Sequence, residues 1–288
     1  MGPPRGEHPL DGVWVPVGPL VEAGAEAVPA AAREGAAGVT CSDSDLQLAA
    51  APGARPLPLR VDLDPERVRA EGPGRMVALR PWLPDLVGLP VGDVPASTLH
   101  DCLAAAEDED HEVVLLVHDA REAAVAADLA ETTEQVVGFS VARLCEDALD
   151  LLATRDHLGL ATAAPEFASA YRHGAGGLEG FPASLSPRAA AWLLSLCRDE
   201  VDAALLLERR LLRFLEGHLR PAARRLQARD SDANPRAQAT LYAAVGGWLE
   251  EAPARSDGDP PIAPGGADPV ELRAHLVRQI PEMGRFTP

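Results

Sequence analysis

A histidine beside an aspartate, a lone serine at the end of an apolar run, and a handful of scattered aspartates and arginines carry whatever chemistry this chain can do. His118 precedes Asp119 and is the evident general-base candidate, whereas Ser140 closes the run Val136-Val137-Gly138-Phe139-Ser140. A serine becomes a nucleophile only when a base takes its proton, and His118 could do that from a neighbouring strand. Adjacent strand residues point to opposite faces, so His118 and Asp119 should not enter one pocket together, and a packing or surface histidine is the plainer reading. No Gly-x-Ser-x-Gly elbow surrounds Ser140. Ser42 and Asp43 follow Cys41 at the end of another apolar run, and Arg80 and Arg143 could grip a carboxylate by bidentate pairing. Asp43, Asp62 and Asp119 could share a hard cation, but in so acidic a chain the pattern is weak, so no metal site is expected. Asp64 and Glu179 complete the polar groups that end apolar runs. One residue type is missing altogether. All 26 basic residues are arginine, so no side-chain amine is available as a nucleophile.

The elements that must position these groups alternate short apolar runs with amphipathic stretches, the signature of a parallel sheet with crossover helices. The strands are expected at Gly12–Val17, Gly38–Cys41, Leu57–Asp62, Met76–Arg80, Val113–His118, Val136–Ser140, Leu158–Ala161 and Gly177–Phe181. Eight such runs predict an α/β fold of the (β/α)8 barrel type, whose functional groups collect at the C-terminal ends of the strands. A doubly wound sheet is the competitor, but no glycine-rich phosphate loop follows any strand. Crossover helices are expected at Ser97–Ala106, Glu122–Thr132 and Leu144–Thr154, and the short connections Pro52–Leu57 and Pro65–Arg75 imply shortened outer helices in the first half. Ser186 and Pro187 read as the cap and first position of a helix. Asp199 should open the next helix, with Leu205, Leu212, Leu215 and Leu219 as its core or subunit-interface stripe. Helices over Asn234–Glu250 and Val270–Gln279 flank a Pro/Gly-rich loop. The expected organisation is a barrel over residues 10–198 and a helical C-terminal extension over 199–288.

Composition narrows the partners. A formal net charge of −18 repels phosphate backbones and acidic membranes, so nucleic acid and anionic lipid are excluded. Met1 to Leu10 lacks a signal-peptide core, and no apolar run approaches a membrane span. Cys41, Cys102, Cys145 and Cys197 show no CxxC pairing and read as free thiols in a reducing cytoplasm.

The order of several short motifs resembles the dihydrodipicolinate synthase/N-acetylneuraminate lyase family of aldolases. Gly12-Val13 through Val17-Gly18-Pro19 resembles the family's opening strand, and Arg80-Pro81-Trp82 resembles its Pro-Tyr-Tyr turn after strand four. Val136 to Ser140 resembles the Val-Gly-Ile-Lys strand, and Phe167–Gly177, Pro187 and Arg198-Asp199 resemble the last barrel unit and the helices beyond. The match is best between Val113 and Leu226. The resemblance implies an eight-stranded barrel with a helical extension, commonly tetrameric, that would hold a 2-oxo acid as an imine on the sixth-strand lysine.

That lysine aligns with Ser140. The strand-five Tyr-Asn-x-Pro segment aligns with Val117-His118-Asp119-Ala120, and the carboxylate loop with Cys41-Ser42-Asp43-Ser44-Asp45, where Asp43 would repel a carboxylate. The family arginine after strand five meets Glu122. The expectation is therefore a diverged barrel without imine chemistry and without a cofactor. It would be a homo-oligomer, or the hetero-oligomeric partner of an active paralogue, with its pocket filled by Trp82, Val117 or Phe139. The alternative is a lysine-independent lyase, hydratase or decarboxylase, in which Ser140 and His118 are catalytic while Ser42, Asp43, Arg80 and Arg143 bind a small carboxylate.

Overall fold

The computed structural model describes residues 8–17, 27–46, 56–144, 158–227, 234–248 and 268–286. Eight parallel strands close on themselves in sequence order, and the last pairs with the first through Gly12–Gly177 and Val13–Leu178. They are β1 (Gly12–Pro16), β2 (Gly38–Ser42), β3 (Leu59–Asp62), β4 (Leu86–Pro90), β5 (Val113–Val117), β6 (Val136–Val141), β7 (Gly159–Thr162) and β8 (Gly177–Leu178). The expected (β/α)8 barrel is present.

Period-two alternation gives each strand two apolar faces with different tasks. Val13, Val15, Val39, Cys41, Val61, Leu89, Leu115, Val117, Phe139 and Val141 pack outward in the cluster shared with the helices. Leu10, Trp14, Leu86, Val114 and Ala161 form a second cluster, joined by Leu116 and Val137. Trp14, Leu86, Val114 and Ala161 lie on β1, β4, β5 and β7, which do not all adjoin, so they meet across the lumen, with Leu10 just before β1. Trp14 is wide enough to need a glycine opposite: a Cβ at Gly38 would lie 2.5–2.7 Å from its ring.

Among the described residues the outer helices of the first half are short: α1 (Ala27–Arg33), α2 (Pro65–Glu71) and α3 (Gly74–Ala78), against α4 (Ala96–Asp108) and α5 (Ala120–Ala130) later in the chain. The expected strand at Met76–Arg80 is the one misplaced strand. Asp64 caps α2 by accepting from the Glu66 and Arg67 N–H groups, and the chain continues through α3 into a 3-10 turn at Arg80–Trp82. Met76 and Leu79 are buried while Val77 is exposed, a spacing of three rather than two. The fourth strand is instead Leu86–Pro90, buried at every position. The expected Leu144–Thr154 helix and Cys145 fall almost wholly or wholly outside the described residues; Cys41, Cys102 and Cys197 are free and buried.

Beyond β7 come α6 (Phe167–Arg172), α7 (Phe181–Leu185), α8 (Pro187–Asp199) and α9 (Val201–Phe214), then a π-turn at Leu215–Leu219 and α10 (Arg220–Gln227). Ser186 caps α8 through the Ala189 N–H, with Pro187 at the first position. The buried stripe of α9 is Ala204, Leu207, Glu208, Leu211 and Phe214, with Leu215 and Leu219 continuing it. Leu205 and Leu212 sit half-buried at its margin. Helices α11 (Asn234–Gly246) and α12 (Pro269–Gln279) finish the extension. No helix among the described residues is long and apolar enough to cross a membrane.

One buried carboxylate fastens α9 to the barrel. Helix α6 has no capping side chain of its own. Glu208 supplies the cap from α9: Oε2 accepts from the Ala168 and Ser169 N–H groups at 2.6 and 3.1 Å, and Oε1 accepts from Ser169 Oγ at 3.1 Å. Burial raises the Glu208 pKa against the lowering effect of those bonds. A raised folded pKa means the folded state holds the proton more tightly than the unfolded chain. The resulting contribution is full below the unfolded value of about 4.3 and declines as pH rises through the folded one. Glu208→Ala is expected to cost about 1–3 kcal/mol by orphaning the α6 N–H groups. Glu208→Gln should cost less, and its stability relative to the parent should improve between pH 4.5 and 7 in urea denaturation. A pH-independent difference would mean that the Glu208 carboxyl titrates alike in both states.

Candidate functional site

The lumen above Trp14 is closed by charge rather than by hydrocarbon. Arg60 of β3 is 2% exposed and reaches across the barrel to Glu179, just after β8, donating from Nη1 to Oε1 at 2.8 Å and from Nη2 to Oε2 at 2.5 Å. It also donates from Nε to Asp62 Oδ1 at 2.7 Å and from Nη2 to Oδ2 at 3.1 Å. Strand β4 leaves room for this triad, since a Cβ at Gly88 would lie 2.1 Å from Asp62 Oδ1. Burial raises the Asp62 pKa against the opposing pull of Arg60. Burial by itself would lower the Arg60 pKa; its two carboxylates overcome that and raise it. A guanidinium facing two carboxylates cannot balance both charges, so the triad is a partly compensated, largely buried acid. Arg60 received no role from the sequence, although a charged residue between the apolar Leu59 and Val61 was the available signal.

Ser140 lies in the same lumen. Its register partners are Leu116 on β5 and Ala161 on β7, both in the inner cluster, and a Cβ at Gly138, two residues earlier, would touch Leu10. Ser140 is 6% exposed. Its level in the lumen is thus apolar on both flanks. Val117, aligned with the family tyrosine, faces outward into the helical layer, and the lumen residue level with Ser140 is Leu116. Phe139 also faces outward, and Trp82 packs against that outer layer. None of the three fills the lumen as expected; Trp14 and Arg60 do so.

His118 follows β5 and is 63% exposed. Its ring Nδ1 lies 3.2 Å from Glu122 Oε2, which also accepts from the His118 backbone N–H at 2.6 Å. The Glu122 carboxylate occupies space that a Cβ at Gly92 would need. Asp119 caps α5 through the Arg121 and Glu122 N–H groups. The histidine is therefore oriented by Glu122 and not by its neighbour. Leu116 is level with Ser140, so His118 stands two residues, roughly 6–7 Å of strand, above the serine.

The carboxylate-loop residues are turned to internal uses. Ser42 Oγ donates to Asp45 Oδ2 at 2.9 Å and lies 2.6 Å from Ser44 Oγ. Asp43 is buried, 2.5 Å from Arg75 Nη2 and 3.8 Å from Arg67 Nη1. Asp43, Asp62 and Asp119 therefore have three separate structural partners and do not gather around a cation. Among the described residues no group of three His, Cys, Asp or Glu side chains could hold a metal ion.

The two arginines assigned to carboxylate binding separate. Arg143 is exposed just beyond β6, at the C-terminal face. Arg80 precedes β4 and is 68% exposed, bound in bidentate fashion to Glu109 at the C-terminal end of α4 (2.6 and 2.7 Å). That position is the opposite, N-terminal face of the barrel. Arg80-Pro81-Trp82 does not follow strand four, and the misplacement of that strand carried Arg80 to the wrong end.

A cavity of about 320 Å³ opens at the C-terminal ends of β7 and β8, against the extension. Ala163, Gly180 and Phe181 form its barrel side, and Ser184, Arg220 and Tyr242 carry its polar edge. Gln238 donates to the Tyr242 hydroxyl at 2.8 Å, and burial raises the Tyr242 pKa. Arg220 is paired with Glu216. Gly180 and Phe181 fall in the strand expected at Gly177–Phe181 and Gln238 and Tyr242 in the helix expected over Asn234–Glu250, and none of these residues is a candidate site residue in the sequence.

No family model and no curated protein matches this chain. Solved structures do. An N-acetylneuraminate lyase from Fusobacterium nucleatum superposes over 97% of this chain and 100% of its own, with a TM-score of 0.63 and 10% identity. The lyase from Mycoplasma synoviae gives 0.64 and 11%, over 94% of this chain and 98% of its own. A protein described as a dihydrodipicolinate synthetase from Pseudomonas aeruginosa gives 0.61 and 12%, over 93% and 99%. At these identities the likeness establishes a shared fold along nearly the whole chain.

Proposed function

We propose that this chain is a diverged member of the dihydrodipicolinate synthase/N-acetylneuraminate lyase family that performs no imine chemistry and serves as a non-catalytic partner or assembly protein. One observation carries the reading. Where a sixth-strand lysine would act, Ser140 sits between Leu116 and Ala161, and the buried lumen cation Arg60 makes four hydrogen bonds to Asp62 and Glu179. A chain without lysine offers no side-chain amine to a 2-oxo acid, and a guanidinium locked in four hydrogen bonds has little left for a substrate carboxylate. Shared fold and motif order support the family assignment; the missing tyrosine and carboxylate loop support loss of its chemistry. The assembly is a homo-oligomer, or a hetero-oligomer with a catalytic relative, in a reducing cytoplasm where the buried thiols stay free. Pyruvate with borohydride should leave the intact mass unchanged, and light scattering should show a defined oligomer. A borohydride-trapped adduct on a barrel side chain would overturn the reading.

The cavity at β7 and β8 favours a second reading, a lysine-independent lyase or binding protein for a small carboxylate. Arg220 could meet the carboxylate, and the Ser184 and Tyr242 hydroxyls a second oxygen, with Ser140, His118, Ser42, Asp43 and Arg143 as the remaining lumen and rim groups. Arg80, on the far face, drops out of the set. A thermal-shift panel of 2-oxo acids, aldehydes and sugar acids separates the readings. A ligand at a hundred times its Kd stabilises by about 2.7 kcal/mol and should raise the midpoint by about 5 °C or more. A hit abolished by Tyr242→Phe favours the cavity reading, whereas a flat panel favours the partner protein.

A further inference from the structure

Two histidines far apart in sequence converge on one point of the extension. His218 lies in the π-turn that follows α9, and His275 lies on α12. Their ring centroids are 4.2 Å apart. The side-chain amide nitrogen of Gln279 is 3.1 Å from His218 Nε2 and 2.7 Å from His275 Nε2. Whichever way the amide is turned, both ring nitrogens aim at the same locus. An unprotonated Nε2 on either ring directs its lone pair at this locus, where it can accept from an amide N–H₂. This locus borders a cavity of about 440 Å³ lined by His218, Asp268, Glu271, His275 and Arg278, among others.

We propose that His218 and His275 bind a late first-row divalent cation of the zinc class, with Gln279 as the third protein group. Neutral imidazole nitrogens are the preferred donors of such ions, at about 2.0–2.1 Å. Two rings already in contact, with Nε2 atoms directed at one amide, need only draw inward as the ion displaces the N–H₂. Rotation of the Gln279 amide then presents its carbonyl oxygen, a ligand the ion accepts where the N–H₂ was not. Glu271 is one turn before His275 on α12, and His275 one turn before Gln279, so the three share a helical face. Among the described lining residues Glu271 and Asp268 add negative charge against Arg278, while Arg210 donates to the Gln279 backbone carbonyl at 2.7 Å and pairs with Glu282. His218 lies in the π-turn, and such turns recur at functional positions. With two imidazoles and an amide, the ion retains a water-filled position open to the cavity. Bound there, it clips α12 to the end of α9. Sequence spacing could not reveal this set, because its two histidines come from separate helices.

Titration of the chelator-dialysed protein with zinc chloride in a calorimeter should give one site per chain, and the thermal midpoint should rise with zinc but not with equimolar magnesium. Magnesium controls for the ion atmosphere of a chain with net charge −18. His218→Gln and His275→Gln should each weaken zinc binding by roughly tenfold or more. His275→Gln changes a half-buried helical position, so it reads the site even where a change in the π-turn disturbs folding. Absence of a zinc site in the parent, a magnesium response equal to that of zinc, or zinc binding untouched by His275→Gln would each overturn the proposal.

Discussion

Arg60→Met is expected to destabilise the protein by about 3–5 kcal/mol at pH 7, the range for removing one partner from a buried charge network. The guanidinium is the shared partner of Asp62 and Glu179, and each carboxylate receives two of its hydrogen bonds. Methionine fills much of the volume but leaves two carboxyls facing one another inside the barrel. Neither can ionise cheaply beside the other, so the pKa of Asp62, already raised by burial, must rise further. A carboxyl with a raised folded pKa contributes stability that is present below its unfolded value near 3.9 and lost as pH rises through the folded value. The Arg60→Met deficit should accordingly shrink between pH 7 and pH 5 in urea denaturation. The combined variant Arg60→Met, Asp62→Leu, Glu179→Met should recover a large part of the loss, since a well-packed apolar trio needs no counter-charge. A single variant within about 1 kcal/mol of the parent would show that the triad is not what balances the lumen.

The same triad marks where the sequence stops being readable. Seven of the eight strands were visible because Val, Leu and Ile-like runs separated by polar turns have a plain period, and the closed order of the barrel followed from repetition. The fourth strand was not. Leu86–Pro90 contains Gly88 and ends in proline, residues that weaken any strand signal, and Gly88 leaves room for Asp62 on the neighbouring strand. Met76 to Leu79 is equally apolar but turns helical once Asp64 caps α2 and the chain continues into α3. Among the candidate groups, the place of Ser140 at the end of the sixth strand was legible from the motif order, whereas the partners of His118, Asp43 and Ser42 were not. Glu122, Arg75 and Asp45 claim them through tertiary or turn contacts that no spacing rule encodes. Arg60 illustrates the general case. Its pairing with Glu179 joins strands distant in sequence, and only closure of the barrel brings them together.

The seating of α11 on α7 depends on a single missing methyl group, and Gly246→Ala is expected to be among the most damaging small substitutions in the chain. Gly246 ends α11 where that helix crosses α7. A Cβ there would lie 1.4 Å from the Leu185 carbonyl oxygen and 2.6 Å from its carbon. The obstacle is backbone, so no rotamer change relieves it, and α11 must lift away from α7. Lifting strips the bond from Trp248 Nε1 to the Ser184 carbonyl at 2.9 Å and separates the edge-on pair Phe181 and Tyr242, whose centroids are 5.5 Å apart. Overpacking alone costs typically 1–3 kcal/mol, and the lost aromatic pair about 0.5–1.5 kcal/mol more, so a loss of about 3 kcal/mol is expected. Gly217→Ala is the matched control. It lies in the π-turn with nothing within 4 Å of its would-be Cβ, and should be neutral or stabilising by about 0.5–1 kcal/mol. Urea denaturation followed by tryptophan fluorescence compares the two. Because Phe181, Ser184 and Tyr242 also line the cavity at β7 and β8, Gly246→Ala should abolish any carboxylate binding there while Gly217→Ala preserves it. Equal stability of the two variants would mean that α11 is not seated on α7 through this contact, and the cavity it walls would then have no fixed shape to recognise a ligand.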